Sequence, residues 1–204
     1  MYWHKNPFWF KWIWPRYVWN GSLHEKKLYL TFDDGPIPDV TDWVVETLAA
    51  YGAEATFFCV GDNIRKHPEV FGRVVAAGHS VGNHTHHHLN GWKTELDPYL
   101  NNVQLCQQAM SQPPRLFRPP YGRISRRQAY RLHQFYQIIM WDVLSGDFDR
   151  NLTPQKCLEQ SVRATQPGSI IIFHDSLKAE RNLKYTLPRY LDHFTQKGFA
   201  FEKL

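Results

Sequence analysis

Residues 27–36 read KLYLTFDDGP. The first six have the apolar and aromatic content of a buried strand, and Gly35 and Pro36 predict a turn directly after it. Asp33 and Asp34 therefore fall at a strand end, where both can face one cavity. Two carboxylates this close repel each other, so a cation is expected nearby. A solvated turn before a helix is the alternative interpretation.

Outward from this stretch, short apolar runs alternate with amphipathic segments. The predicted strands are 27–32, 55–60, 79–84, 115–117, 137–143, 169–173 and 199–204. The predicted helices are 39–51, 68–77, 95–111, 125–134, 154–166 and 180–197. This alternation is typical of a parallel α/β sheet or barrel, and 204 residues fit one domain. We divide the chain into an aromatic-rich N-terminal arm, 1–22, and an α/β domain, 23–204.

Polar side chains follow five of the predicted strands. In folds of this class, catalytic residues lie where strands end and loops begin, so these side chains should share one rim. They are Asp33 and Asp34, the histidines from His84 to His88, Arg118, Asp147, and His174. Each has a plain structural explanation, but their common position favours a functional site.

The segment 83–90, NHTHHHLN, carries four histidines within five residues. His84 and His88 are four apart and would share one face of a helical turn. With one carboxylate they would form a set of ligands for a divalent metal with open positions. His87 could reach the same face, so spacing leaves the second histidine ligand open. A solvent-exposed histidine-rich loop is the alternative.

Two further segments add charged groups to the predicted rim. RPPYG, 118–122, is a rigid turn in which Arg118 could clamp a carboxylate. IIIFHDS, 170–176, ends a buried strand in His174, and Asp147 could orient and charge that imidazole. A surface arginine and a structural histidine are the simpler explanations of these segments taken alone.

TFDDGP, HTHHH, RPPYG, SGDF and IFH stand in this order in the chain. They resemble the five motifs of the polysaccharide deacetylase family (NodB homology domain, carbohydrate esterase family 4), from about residue 27 to the C-terminus. The resemblance implies a distorted, incomplete (β/α) barrel whose parallel strands number about seven. It also implies a metal-dependent hydrolase that removes N-acetyl groups from an amino-sugar-containing carbohydrate and releases acetate.

The resemblance implies a role for each matching residue. Asp34, His84 and His88 would hold the metal. Asp33 would be the general base, and Arg118 would hold that base in place. The metal expected from two histidines and one aspartate is Zn²⁺, with Co²⁺, Ni²⁺ or Mn²⁺ as alternatives.

The remaining motifs would supply the acid and the substrate contacts. His174 would be the general acid, tuned by Asp147. The backbone N–H of Tyr121 would bind the oxyanion, and Ile172 would line the acetyl pocket. Phe148 stands where the family commonly has tryptophan, so it offers an apolar groove wall but no indole N–H.

The expected partner is an N-acetylated carbohydrate, either peptidoglycan, a chitin-like oligomer or a lipid-linked precursor. An O-acetyl ester substrate and a noncatalytic glycan-binding module are the alternative functions.

The net charge of +5 suits an anionic partner. No basic stripe, zinc-finger spacing or RNA-binding motif is visible, which argues against nucleic acid. Three widely separated cysteines argue against a disulfide framework.

The arm contains five tryptophans, interrupted by Lys5, Lys11, Pro15 and Arg16. It lacks the apolar run and the cleavage site of a signal peptide, and no stretch approaches the ~20 apolar residues of a membrane span. We therefore expect a cytoplasmic protein. We expect the arm to pack against the barrel. The alternative is that residues 1–20 dock at the inner face of the membrane, because tryptophan together with Lys or Arg is common at membrane interfaces.

Overall fold

The computed structural model of the protein describes residues 3–7, 9–110 and 112–204. The strands are β1 Lys27–Asp33, β2 Ala55–Cys59, β3 Ser80–Asn83, β4 Leu116–Phe117, β5 Gln137–Ile138, β6 Val143–Leu144, β7 Ile170–His174 and β8 Ala200–Phe201. The α-helices are α1 Phe10–Ile13, α2 Val40–Ala50, α3 Gly61–Lys66, α4 Pro68–Ala76, α5 Leu96–Ala109, α6 Arg126–Leu132, α7 Pro154–Ala164 and α8 Glu180–Gln196. Short 3-10 turns occur at Gly91–Lys93 and Pro120–Gly122. The sequence did not predict α1 and α3, which have only four and six residues.

Seven strands form one sheet in the order β5-β4-β3-β2-β1-β7-β6, and β8 pairs with β1 off this path. Every pair of these strands is parallel. Within the described chain β5 and β6, at the two ends, do not pair with each other, so the barrel stays open. The predicted incomplete (β/α) barrel is confirmed. No helix in the described ranges is long and apolar enough to cross a membrane.

The centre of the sheet is packed on both faces, as parallel sheets require. All five residues of β2 and the first four of β7 are buried. The ring of Phe32 in β1 stacks on Phe57 of β2 at 5.0 Å and on Phe173 of β7 at 6.0 Å between centroids. Leu48 of α2 and Leu187 of α8 belong to the same apolar cluster. This packing fixes the position at which β1, β2 and β7 end.

The predicted single strand 137–143 is wrong. Gln137–Ile138 pairs with β4, whereas Val143–Leu144 pairs with β7 at the opposite end of the sheet. The chain between them crosses the opening of the barrel, where Ile139 forms a parallel bridge with Val18 of the arm. Because most of the connecting residues are buried as well, residues 138–141 form one apolar run, which did not reveal the change of partner.

The N-terminal arm lies across the opening between β5 and β6. Isolated β-bridges join Lys5 to Val143 of β6 and Val18 to Ile139, which follows β5, so the arm contacts both ends of the sheet. A third bridge joins Asn20 to Ser169, directly before β7. Trp19 is 5% exposed and belongs to an apolar cluster with residues of α5, β4, α6 and β5. Its indole Nε1 donates a hydrogen bond to the backbone oxygen of Trp14 at 3.2 Å. This part of the arm therefore contributes to the core.

Replacing Trp19 by alanine is expected to lower the free energy of unfolding by about 3–5 kcal/mol, because a buried tryptophan leaves a cavity when it is truncated. Trp12→Ala is the matched control, since that side chain is 76% exposed. We expect the control to change stability by no more than about 0.5 kcal/mol. Urea unfolding followed by circular dichroism measures both variants, and equal losses would contradict a core position for Trp19.

Candidate active site

The carboxyl ends of the parallel strands meet at one edge of the sheet, and the predicted site residues lie along it. Asp33 is the last residue of β1 and pairs in register with His174, the last residue of β7. His84 directly follows β3, and Arg118 directly follows β4. The parallel pairing of neighbouring strands brings these ends side by side, so the rim expected from the sequence is present.

Asp34, His84 and His88 form a candidate metal site. Each offers one ligand atom, and these atoms lie within 4.8 Å of one another. Asp34 Oδ1 is 3.1 Å from His88 Nε2 and 3.8 Å from His84 Nε2. Elsewhere in the described ranges no other group of three His, Cys, Asp or Glu side chains converges in this way. One carboxylate and two imidazoles are a donor set that suits a divalent ion such as Zn²⁺.

The protonation of these side chains also suits a cation. His84 Nδ1 donates to the backbone oxygen of Arg118 at 2.7 Å, which leaves its Nε2 lone pair available. Burial lowers the pKa of His84 to about 4, so the imidazole is neutral at pH 7. Burial alone would raise the pKa of Asp34, but the contact with His88 and the charge of His174 hold it well below its ordinary value. Neutral imidazole and ionised carboxylate are the forms that bind metal.

The loop geometry separates the two histidines that spacing left open. His87 Nδ1 accepts a hydrogen bond from Asn102 Nδ2 at 2.9 Å, and Asn102 Oδ1 accepts one from the backbone N–H of His87. His88 instead directs Nε2 toward the other two ligands, and its Nδ1 lies 3.1 Å from Tyr121 Oη. His88 therefore joins the candidate metal site, whereas His87 is occupied by Asn102.

Backbone strain is concentrated around this site. Five described residues other than glycine have a positive φ, and four of them lie in the site loops. They are Asp34 (82°), Thr85 (62°), His88 (53°) and Tyr121 (60°). Such conformations cost about 1–3 kcal/mol each and persist only where the surroundings enforce them. Their clustering indicates that the loops are held in shapes that aim these side chains.

Asp33 is 4% exposed and faces the same ligands, with Oδ2 4.0 Å from His84 Nε2. Its Oδ1 accepts a hydrogen bond from Arg118 Nη1 at 2.7 Å. Arg118 is fully buried, and its remaining groups are satisfied by other partners. These are Thr31 Oγ1, the backbone oxygens of Ile139 and Met140, and the ring of Phe58. Arg118 thus holds the Asp33 carboxylate in one orientation.

His174 and Asp147 form a second charged pair. His174 Nδ1 donates to Asp147 Oδ1 at 2.8 Å, and the backbone N–H of His174 donates to Asp147 Oδ2 at 2.7 Å. Burial alone would lower the pKa of His174, but the charge and hydrogen bond of Asp147 raise it to about 9. Asn182 of α8 donates to the backbone oxygens of Asp147, Asp149 and Leu152 and so fixes the loop.

A cavity of about 530 Å³ opens over these groups. The three predicted substrate contacts, Tyr121, Phe148 and Ile172, all line it. Trp141 and Leu144 line it too, and the sequence did not point to them. Trp141 lies in the segment wrongly predicted as one strand, and Leu144 comes directly after that segment. Aromatic rings and aliphatic side chains around a few charged groups are typical of a small-molecule site.

Asp175 and Asn63 hold the turn after β1, and neither was predicted. Asp175 Oδ1 accepts a hydrogen bond from Gly35 N at 3.0 Å, and its Oδ2 accepts one from Thr41 Oγ1 at 2.6 Å. Asn63 Nδ2 donates to the backbone oxygen of Asp34 at 2.7 Å. Any side chain at residue 35 would collide with the Asp175 carboxylate, which explains the glycine. The available signal was the position of Asp175, directly after the strand-end histidine.

Comparison with known proteins agrees with this geometry. The sequence profile described as polysaccharide deacetylase matches residues 20–136, which is more than half of the chain. The chain belongs to the polysaccharide deacetylase family. The matched part carries the candidate metal site, Asp33, Arg118 and Tyr121, while the loops with Asp147 and His174 come later in the chain.

Similar family members act on two kinds of glycan. A peptidoglycan-N-acetylglucosamine deacetylase of Bacillus cereus is 30% identical over 165 residues, covering 78% of this chain and 60% of that protein. A second enzyme of the same name and species is 29% identical over 189 residues, covering 90% and 89%. A chitooligosaccharide deacetylase of Azorhizobium caulinodans is 30% identical over 160 residues, covering 76% of each. The chain thus spans less than two thirds of the length of the first of these relatives.

The fold is shared with solved family members. A crystal structure of a peptidoglycan N-acetylglucosamine deacetylase in complex with 4-naphthalen-1-yl-N-oxidanyl-benzamide matches with a TM-score of 0.89 and 28% identity. The match covers 98% of this chain and 95% of that one. A structure of a deacetylase with substrate matches with a TM-score of 0.78 and 30% identity, over 88% and 89% of the two chains. The open barrel is therefore the form that the family adopts.

Proposed function

We propose that this protein is a metal-dependent deacetylase that hydrolyses the N-acetyl group of an amino-sugar-containing carbohydrate and releases acetate. One observation carries the proposal: a carboxylate held by Arg118 and an imidazole held by Asp147 face the same cavity as the candidate metal site. Amide hydrolysis requires a base that activates water and an acid that protonates the leaving amine. The similar deacetylases of peptidoglycan and of chitooligosaccharides support this substrate class.

Asp33 is the base in this proposal. Arg118 holds its Oδ1, so Oδ2 is the oxygen that can take a proton from the attacking water. A divalent ion held by the three candidate ligands would supply Lewis-acid polarisation of the acetyl carbonyl and of that water. The backbone N–H of Tyr121 is the proposed contact for the developing oxyanion, and Ile172 is proposed to receive the acetyl methyl group.

His174 is the acid. With its pKa raised to about 9, the imidazole is protonated at pH 7 and can donate to the nitrogen of the leaving amine. An amine needs this proton more than an alcohol does, because it leaves poorly as an anion. A protonated His174 therefore favours an N-acetyl substrate over an O-acetyl ester.

The pH dependence of the reaction follows from the Asp147–His174 pair. His174 must keep its proton, so kcat/KM is expected to fall as the pH rises through about 9. Asp147→Asn removes the charge that contributes most to raising the pKa of His174, while burial still lowers that pKa and the charges of Asp34 and Asp33 still raise it. The alkaline limb of the variant should therefore move down from about 9, toward the ordinary histidine pKa of about 6.5. Profiles of kcat/KM against pH, with Asp149→Asn as the control from the same loop, measure the shift, and an unmoved limb contradicts the assignment.

Zn²⁺ is the metal that we propose, because two imidazoles and one carboxylate match its usual donor set.

Acetate release from N-acetylglucosamine oligomers of increasing length and from peptidoglycan tests the whole proposal. Protein dialysed against a chelator should release no acetate, and added Zn²⁺ should restore the release. An O-acetylated sugar assayed in parallel separates the amide from the ester reaction. A metal-loaded protein that releases no acetate from any N-acetylated glycan would overturn the proposal.

A further inference from the structure

Positive charge is concentrated in two separate segments of the chain. Residues 1–24 and 98–141 contain nine of the 24 Lys and Arg residues and none of the 19 Asp and Glu residues. The rest of the chain holds fifteen Lys and Arg against all nineteen acidic residues. The net charge of +5 therefore originates entirely in these two segments.

The fold brings the two segments together. Val18 of the arm pairs with Ile139, and the rings of Tyr17 and His133 lie 5.5 Å apart. Phe10 and Tyr17 pack against the apolar cluster that contains Ala129 and Leu132 of α6. Although no basic stripe is visible along the sequence, residues 9–17 and 123–135 become neighbours in the structure. We call the surface formed by these two ranges the basic aromatic face.

The arginines of this face are exposed, and the guanidinium of Arg123 lies over the exposed ring of Trp92, 5.2 Å from its centroid. Arg16, Arg123, Arg126, Arg127 and Arg131 are all exposed, and within the part of the chain that the structure describes none of them forms an ion pair. Two exposed acidic residues, at positions 95 and 97, border the face at the start of α5. The face therefore keeps a clear excess of positive charge.

Large apolar side chains are exposed on the same face. They are Trp9, Trp12, Ile13 and Trp14 in the arm, and Tyr130 and Phe135 in and after α6, with exposures between 37% and 76%. Exposed apolar side chains grouped in this way mark interaction surfaces. Tryptophan and tyrosine mixed with basic residues are typical of surfaces that lie in the headgroup region of a membrane.

We propose that the basic aromatic face docks on an anionic lipid bilayer. Its arginines would contact lipid phosphates while the aromatic rings enter the headgroup layer. A soluble polyanion would satisfy the charges but would leave the aromatic side chains in water, so the two features together favour a bilayer. Arg123 also lines the active-site cavity, and docking would therefore hold that cavity beside the lipid headgroups.

Co-sedimentation of the full chain with vesicles tests this directly and requires no catalytic activity. We expect binding to vesicles of phosphatidylcholine with added phosphatidylglycerol, and little binding to phosphatidylcholine alone. Binding should weaken as salt is raised, because salt screens charges at the surface. The result is independent of whether the deacetylase proposal is correct.

The double variant Arg126→Glu, Arg127→Glu tests the charges. Both residues lie in the first turn of α6, where acidic side chains are favourable, so the helix should be retained. Since each basic residue near an anionic membrane contributes about a fivefold factor, we expect partitioning to fall by about 30-fold or more. Lys156→Glu with Lys197→Glu makes the same change in net charge outside the face and should have little effect.

The variant Trp12→Gln tests the aromatic side chains. It should weaken vesicle binding, mainly the part of the binding that persists at high salt.

Three outcomes would overturn the proposal. The first is no binding to anionic vesicles. The second is an equal loss in the Lys156→Glu, Lys197→Glu control, which would mean that only total charge matters. The third is equally tight binding to a soluble polyanion such as heparin together with no effect of Trp12→Gln, which would make the face a site for polyanions rather than for lipid.

Discussion

Replacement of Asp33 by asparagine is expected to lower kcat/KM by about 10²–10⁴-fold and to leave the metal content unchanged. Asparagine has nearly the same shape, and its Oδ1 can still accept the hydrogen bond from Arg118 Nη1. It cannot take a proton from water, so the base is lost while Asp34, His84 and His88 are untouched. Acetate release at low substrate concentration and metal analysis of the purified variant measure the two properties separately.

A lower melting temperature should accompany this variant. Arg118 is fully buried, and loss of the ionic partner of a buried charge typically costs about 3–5 kcal/mol. The hydrogen bonds of Arg118 to Thr31 and to two backbone oxygens remain, so we expect folded protein. Asp192→Asn, at an exposed position of α8, is the control and should retain activity. An Asp33→Asn protein that keeps both its metal and most of its turnover would refute the assignment of the base.

Much of the candidate site could be predicted because of where its residues stand in the sequence. Asp33, Arg118 and His174 each follow an apolar run directly, and His84 ends the predicted strand 79–84. The carboxyl ends of parallel strands meet at one edge of the sheet. The roles came from the family motifs. Spacing alone did not distinguish His87 from His88, because that choice depends on a hydrogen bond from Asn102 in the following helix, α5.

Contacts between distant parts of the chain could not be predicted. Asp175 supports the metal-ligand turn through Gly35 and Thr41, and Asn182 fixes the loop of Asp147, yet local periodicity says nothing about either. The same is true of the opening between β5 and β6. Residues 138–141 are all apolar, so the pattern could not show that the chain there leaves one end of the sheet and joins the other.

His88→Ala is expected to abolish stoichiometric metal binding and, with it, acetate release. The variant leaves only two of the three ligand atoms that converge within 4.8 Å. Loss of a residue that merely supports a ligand typically costs about 10–100-fold in metal affinity, and loss of a ligand should cost more. Metal titration of the chelator-treated protein, monitored by calorimetry, measures the affinity without reference to catalysis.

His87→Ala is the matched control, one residue away in the same loop. This variant loses the hydrogen bond between residue 87 and Asn102, and the loss should lower the free energy of unfolding by about 1 kcal/mol. Asn102 can still hold the loop backbone, because its Oδ1 accepts the N–H groups of residues 86 and 87. Metal affinity should therefore stay close to that of the original protein. If His87→Ala lost the metal and His88→Ala kept it, the ligand set would be Asp34, His84 and His87, and the loop would have to adopt a different path from the one described.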